Sequence, residues 1–223
     1  IGVALSLVLA LNRGVYYSRS SLVAEARARS TSRVRALLPL RNKSLNDLTT
    51  MIAKKPHTAL RDMAMGIHKS TATQVVVTSL RATMSSNDVA RSLAIYMQSD
   101  DMRVAVLDFS SRGKKLDIDN ERLSVGSFVV SESTGKVSVL RLSDNLAAID
   151  LLSQRDFIKN IKSLNSTFDL VFLCADNGDA ISLVSALEGQ EIFHITLART
   201  KRTKSATLAH MRSLLPIQGL FYD

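Results

Sequence analysis

A chain of 223 residues, 46% of them hydrophobic, suffices for one sizeable α/β domain with an appendage. Its single cysteine, Cys174, excludes an internal disulfide framework and a cysteine zinc cluster, and fits a reducing, cytoplasmic setting. The net charge of +9 is concentrated: residues 12–43 hold Arg13, Arg19, Arg27, Arg29, Arg33, Arg35, Arg41 and Lys43 against Glu25 alone. A nucleic-acid binder is expected to be basic throughout, whereas a basic block directly after an apolar start points to the cytoplasmic side of a membrane.

The apolar start is the first predicted element, residues 1–11 (IGVALSLVLAL). As a helix it rises roughly 16 Å, about half of a hydrocarbon core, so it cannot span a bilayer by itself. It reads as the inner half of a transmembrane helix, a signal-peptide core, or a helix packed on the domain. A signal peptide has its basic residues before the apolar run, and here they follow it. The chain begins at Ile1 rather than Met, as a piece of a longer protein would. Residues 1–32 are therefore expected to form the cytoplasmic end of a membrane helix and a basic juxtamembrane segment, and residues 33–70 a linker with a leading amphipathic helix. Within that stretch, residues 22–55 read as poorly packed helix and linker, with RARSTSRVR the softest part and Pro39 and Pro56 as punctuation. In residues 57–70, Leu60, Met63, Ala64 and Ile67 recur at helical spacing.

From there the pattern alternates. Apolar runs at 75–78, 103–108, 137–142, 169–174, 191–198 and 217–222 predict strands, and helical patterns fall at 87–98, 153–164, 178–187 and 203–214. Residues 71–223 are thus expected to be an α/β domain, a mostly parallel sheet with helices on both faces. The nearly unbroken apolar strands agree with burial on both sides. Residues 124–136 read as a surface excursion, and there is no internal repeat.

The strand at 75–78 leads through TSLRATMSSND into a helix, the frame of a phosphate-binding loop. A working loop reads G-x-x-x-x-G-K-[ST]: glycines aim amides at phosphates, the lysine reaches the terminal phosphates, and the hydroxyl binds magnesium. Aligned without gaps on the following SLA, this chain has Ser85 for the glycine, Ser86 for the lysine and Asn87 for the metal ligand.

The order of such segments resembles the cytoplasmic domain of the bacterial tyrosine kinase and polysaccharide co-polymerase family. IGVALSLVLALNRGVYYSRSSL is similar to the exit of that family's second transmembrane helix, and RVRALLPL to the segment leading into its domain. VVVTSLRATMSSNDVARSLA stands in the place of its Walker A loop, and RVAVLDFSSRG in the place of its second Walker motif, hydrophobics-D-x-D-x-R. FDLVFLCAD stands where the Walker B strand ends in Asp, and GDAISLVSALEGQEIFHITLARTKRT matches the later Asp-Ala helix and a strand ending in a basic, threonine-rich turn. The resemblance implies a P-loop fold and a role in the chain length and export of exopolysaccharides.

Carried over residue by residue, it also implies that the chemistry is mostly gone. Asp108 and Arg112 are retained from the second Walker motif, but its second acid is Ser110, and the Walker B acid is Cys174, with Asp176 two residues beyond. No register in 57–69 reproduces the Glu-x-x-Arg-x-x-Arg ring-forming helix, and no tyrosine-rich tail follows Tyr222. Micromolar affinity corresponds to about 8 kcal/mol, and each charge-assisted hydrogen bond lost is worth roughly 1.5–3 kcal/mol. ATP and magnesium binding is therefore expected to be weak or absent, and no residue is assigned a catalytic role.

The vestigial loop comprises Ser79, Arg81, Ser85, Ser86 and Asn87, whose hydroxyls either cradle an anion or are simply solvated. The scattered His57, His68, His194 and His210 give no metal site. Basic turns supply Lys114, Lys115, Arg199, Lys201, Arg202 and Lys204, which a parallel sheet brings to its carboxyl edge as a rim for an anionic partner. The expected reading is a degenerate scaffolding module on the cytoplasmic face of a bacterial inner membrane. Its expected partners are polysaccharide polymerisation and export machinery, a separate active kinase and further copies of itself, and not nucleic acid. An active tyrosine autokinase with an unorthodox loop and a membrane-associated partitioning-type ATPase are the alternatives.

Overall fold

The computed structural model describes residues 14–16, 18–55, 57–98, 102–109, 124–125, 128–142 and 157–223. The fold is α/β, as the alternation predicts. Among the described residues, the strands are β1 (Ser30–Arg33), β2 (Gln74–Leu80), β3 (Val104–Asp108), β4 (Ser124–Val125), β5 (Phe128–Thr134), β6 (Val137–Leu142), β7 (Leu170–Asp176), β8 (Phe193–Ala198) and β9 (Gly219–Tyr222). They form one sheet in the order β1-β9-β8-β2-β7-β3-β6-β5-β4. All pairings are parallel except β4 with β5 and β5 with β6.

The helices are α1 (Arg19–Ala26), α2 (Leu45–Lys54), α3 (Thr58–Ser70), α4 (Ser86–Met97), α5 (Phe157–Leu164), α6 (Asn177–Ala186) and α7 (Ser205–Leu214). They cover both faces of the sheet. Because side chains alternate along a strand, each central strand feeds two cores. Val75 and Val77 pack with α2, α3 and α4 residues such as Leu48, Met63 and Leu93, while Val76 packs with Leu183, Leu208 and Met211 of α6 and α7. Every residue of β2 is buried, so its run of Val is required by packing rather than by propensity.

A buried polar link joins β2 to β8. Thr78 Oγ1 and Thr196 Oγ1 each lie 3.1 Å from His194 Nε2, and His194 Nδ1 lies 3.1 Å from the Leu215 carbonyl oxygen. That carbonyl can only accept, so Nδ1 carries the proton and Nε2 receives the threonine hydroxyls. Burial holds the His194 pKa down, at about 4.

The largest departure from the sequence reading lies in residues 22–55, which are not loose linker. RARSTSRVR contains β1, an edge strand alternating between intermediate and exposed residues that pairs with β9 in register Ser30↔Gly219. A polar edge strand needs no apolar pattern, because its partner supplies backbone hydrogen bonds. Residues Val34–Leu40 then form a 3₁₀ helix with Val34, Leu37 and Leu40 buried. Three residues per turn bring these onto one face, a period that a search for 3.6 does not detect. In α2, Ser44 Oγ caps the helix by accepting the Asp47 N–H, and Leu45 and Leu48 are buried.

Residues 124–136 also differ from the expected surface excursion. They supply β4 and all of β5, which extend the sheet beyond β6. Glu132, beside a register shift in β5, accepts the Leu45 N–H at 2.7 Å and pairs with Arg91 of α4 at 2.5 Å. The apolar start at 1–11, residues 153–156 of the helix predicted over 153–164, and Ser110, Arg112, Lys114 and Lys115 lie outside the described residues. No helix among the described residues is long and apolar enough to cross a membrane.

Candidate functional site

The carboxyl ends of β2, β3, β7 and β8 converge around the loop 81–85 and the first turn of α4. At that helix start the first amide donors have no intrahelical partner, and their dipoles favour a negative charge. In a nucleotide site a phosphate fills that place. Here the protein fills it itself: the Ser86 N–H donates to Asp176 Oδ1 at 2.8 Å. Asp176 occupies the cap position of α6, yet its side chain makes no cap bond there and reaches across to α4 instead. The Asp88 N–H is taken by Ser85 Oγ at 3.1 Å, the ordinary N-cap bond.

Two further acids surround this point. Asn87 Nδ2 donates to Asp108 Oδ2 at 2.9 Å, and Asp88, itself buried, accepts the Asn42 N–H at 3.0 Å. Burial raises the Asp176 pKa, the Ser86 amide and hydroxyl pull it down, and the nearby Asp108 and Asp88 carboxylates push it up again. Cys174 is fully buried, and its Sγ donates to the Leu107 carbonyl at 3.4 Å. Burial, with Asp108 and Asp176 adding to it, raises its thiol well above the ordinary range, so it stays protonated and unreactive. The Ser86 hydroxyl is buried without a hydrogen-bond partner in good geometry, although it lies close enough to Cys174 and Asp176 to lower both pKa values.

The other loop residues are structural or solvent-facing. Ser79 Oγ donates to the Met84 carbonyl at 3.0 Å, bracing the turn from inside. Arg81 is exposed with φ +57, and its N–H donates to Asn177 Oδ1 at 3.1 Å. Thr83 donates through both N–H and hydroxyl to Asp223 Oδ2, at 3.2 and 2.6 Å. Among the described residues no group of three or more His, Cys, Asp or Glu could hold a metal ion.

The geometry brings Ser85, Ser86, Asn87 and Asp108 together as the spacing implies, with Asp176 added. Arg199, Lys201, Arg202 and Lys204 stand exposed on the turn after β8, at the same edge of the sheet. The buried Thr203 joins the two turns: its Oγ1 donates to the Leu80 carbonyl and accepts the Arg199 N–H, each at 2.8 Å. Sequence reasoning missed Asp88, Thr203 and Asp223. Ser85-x-x-Asp88 before an apolar run is a helix-start pattern and could have marked the first. Nothing local marks the other two.

The residues present do not fit a magnesium nucleotide. A triphosphate entering the loop would meet the Asp176 carboxylate where it needs amides, and residues 79–88 contain no lysine to offset the charge. Two unit charges at 4 Å interact by about 4 kcal/mol at an effective dielectric constant of 20, about half of a micromolar binding energy.

No protein-family model and no curated protein matches the sequence. Solved structures do. The chimerical protein CapA2B2 matches at 13% identity and a TM-score of 0.61, with 92% of this chain and 98% of that chain covered. The fold is that of the bacterial tyrosine kinase domain. The BceF tyrosine kinase domain matches at 14% identity and 0.54, with 93% of this chain and 90% of that one covered. The kinase domain of the Escherichia coli tyrosine kinase ETK matches at 15% identity and 0.54, over 74% of each chain. In this chain β2 and α4 flank the loop 81–85, Asp108 ends β3, and β7 carries Cys174 and ends at Asp176.

Proposed function

We propose that this chain is a catalytically degenerate, scaffolding cytoplasmic module of an inner-membrane polysaccharide co-polymerase, serving exopolysaccharide synthesis, chain-length control and export. The order of its motifs and its kinase-domain fold support the family. The observation that carries the degeneracy is the Asp176 carboxylate on the Ser86 N–H, an internal anion in the phosphate position. Phosphoryl transfer depends on positive charge and metal placed around the migrating group, whereas residues 79–88 contain no lysine and Asp108 and Asp176 close in from the neighbouring strand ends.

In this reading the fold persists because it presents surfaces. The sheet holds the elements around it in fixed relation, and the surfaces they present contact the export machinery, a separate active kinase, or a neighbouring copy of the domain. The basic residues after the apolar start support a position on the cytoplasmic face.

Calorimetry with Mg-ATP tests the proposal. No dissociation constant below about 100 μM, roughly 5.5 kcal/mol, is expected, and tighter binding would overturn the degenerate reading. Ser86→Lys alone is expected not to restore hydrolysis, because Asp176 still occupies the amide and Cys174 replaces the metal-holding acid. The second reading, an active autokinase, draws on one observation: Asp108 and Asp176 lie close enough to perturb each other, as two metal-holding acids would. It requires ATP-dependent phosphate incorporation into tyrosine that Asp108→Asn and Asp176→Asn each abolish.

A further inference from the structure

The basic turn after β8 does more than ring the sheet edge. It is the surface on which the chain docks as it arrives from its apolar start. Val15 forms an antiparallel bridge with Lys204. The Ser205 N–H and Oγ both donate to the Gly14 carbonyl, at 2.7 and 3.0 Å, and the Lys201 N–H donates to the Tyr16 carbonyl at 2.7 Å. Tyr16 is buried in the core, which pins this segment to the body of the domain. Gly14 sits at φ +58, a turn conformation that glycine adopts without strain.

This fixes a distance. Leu11, the last apolar residue of the start, is three residues before Gly14, so the chain between them reaches at most about 10 Å. That is about one Debye length at physiological salt. Whatever layer receives residues 1–11 therefore lies within electrostatic range of the turn. On that turn Arg199, Lys201, Arg202 and Lys204 are exposed, and among the described residues none of them is in a salt bridge. The nearest acid along the backbone network, Asp223, is committed elsewhere: its carboxylate holds Thr83 and its carbonyl holds Thr200.

We propose that the turn 199–204 is a docking surface for anionic lipid headgroups, seating the carboxyl edge of the sheet, and with it the self-filled phosphate loop, against the membrane. The inference rests on the reading of residues 1–11 as membrane-embedded. An acidic peptide or protein patch has the same charge, but the tether holds the turn beside a lipid surface at all times, whereas a peptide must arrive by diffusion. Each cation near an anionic surface is worth up to about a fivefold gain in binding, so the four together reach on the order of several hundredfold.

The experiment uses the full chain in lipid nanodiscs containing a headgroup quencher, with a fluorophore on either Ala206→Cys or Met65→Cys. Ala206 is exposed at the start of α7 beside the turn, while Met65 lines a cleft at the amino ends of β1, β8 and β9. The buried Cys174 does not compete for label. In discs with phosphatidylglycerol, the label at 206 is expected to be quenched severalfold more than the label at 65. The difference is expected to collapse in phosphatidylcholine discs, in 1 M salt, and when Arg199, Lys201, Arg202 and Lys204 are all changed to Gln. Equal quenching at the two positions, or quenching at 206 that ignores lipid charge, overturns the proposal. Protein that elutes free of both disc types overturns the membrane reading beneath it, a separate outcome. A phosphotyrosine peptide that binds this surface, while label 206 stays unquenched in anionic discs, would assign the turn to a peptide instead.

Discussion

The loop after β2 and the turn after β8 stand side by side at one edge of the same sheet, and they have opposite electrostatic characters. Both contain a basic residue with positive φ, Arg81 and Lys201, and the two are tied together through Thr203. The phosphate loop is turned inward. Apart from the buried Ser86 hydroxyl, its polar groups are spent inside the protein, on partners that include Asp176, Asp223 and the Met84 carbonyl, so its negative charge comes from within. The basic turn spends its backbone on Tyr16, Thr203 and Asp223 but leaves its side chains in solvent, so its negative charge must come from outside. In the proposed reading, a sheet edge that gives up a nucleotide can still seek an anion, through the neighbouring turn rather than the loop.

The tie between the two regions is the place to break this arrangement most severely. Thr203→Val leaves the Leu80 carbonyl and the Arg199 N–H without their buried partner. At about 1–3 kcal/mol for each stranded group, a loss of roughly 2–6 kcal/mol is expected in urea denaturation. A smaller loss would mean that the turns relax independently. Next in size is a pH effect on the strands beneath them. The His194 pKa is lowered from 6.5 to about 4 on folding, so the unfolded chain binds the proton more readily between those values. The contribution of His194 is complete above pH 6.5 and falls by about 3 kcal/mol as the pH drops to 4. His194→Gln is expected to flatten that portion of the stability–pH curve.

The remaining tests are gentler. Asp176→Asn keeps an acceptor for the Ser86 N–H but removes the charge that faces Asp108 and Asp88. Because folding raises the Asp176 pKa, its ionised form opposes folding at neutral pH, and that penalty disappears as the pH falls through the raised value. The variant is expected to be at least as stable as the parent at pH 7, with any gain shrinking in acid. Asp176→Ala, with no acceptor, is expected to fall about 1 kcal/mol below the Asn variant in the same denaturation measurement. Changing Arg199, Lys201, Arg202 and Lys204 to Gln is expected to move stability by no more than about 0.5 kcal/mol, as for surface residues generally. A larger drop would show that these side chains hold the fold rather than face a partner.

Much of this was legible in the residues. Apolar runs such as QVVV and DLVFLC mark buried parallel strands because nothing else buries both faces of an extended chain. The loop's departure from G-x-x-x-x-G-K-[ST] is likewise visible in Ser85, Ser86 and Asn87. What escaped was everything depending on who stands opposite. Asp176 gives no hint in the sequence that it will cap α4 rather than its own helix, since that depends on β7 lying beside β2. The polar β1 is invisible without β9 to pair with, and Val34, Leu37 and Leu40 follow a spacing of three that fits neither a strand nor an α-helix. Asp223 acquires its role only because β9 delivers it next to Thr83.

The pairing of β1 with β9 also constrains how the molecule can be made. Among the described residues β1 pairs with β9 (Gly219–Tyr222) alone, so two segments far apart in the sequence must meet before that edge closes. Such distant contacts form late, because the loop-closure cost precedes their reward. On a ribosome the early strand would wait, unpaired and exposed, while the intervening helices and strands fold without it. Its polar sequence, Ser-Thr-Ser-Arg, suits that wait, since a bare edge carrying hydroxyls and a cation is a poor template for aggregation.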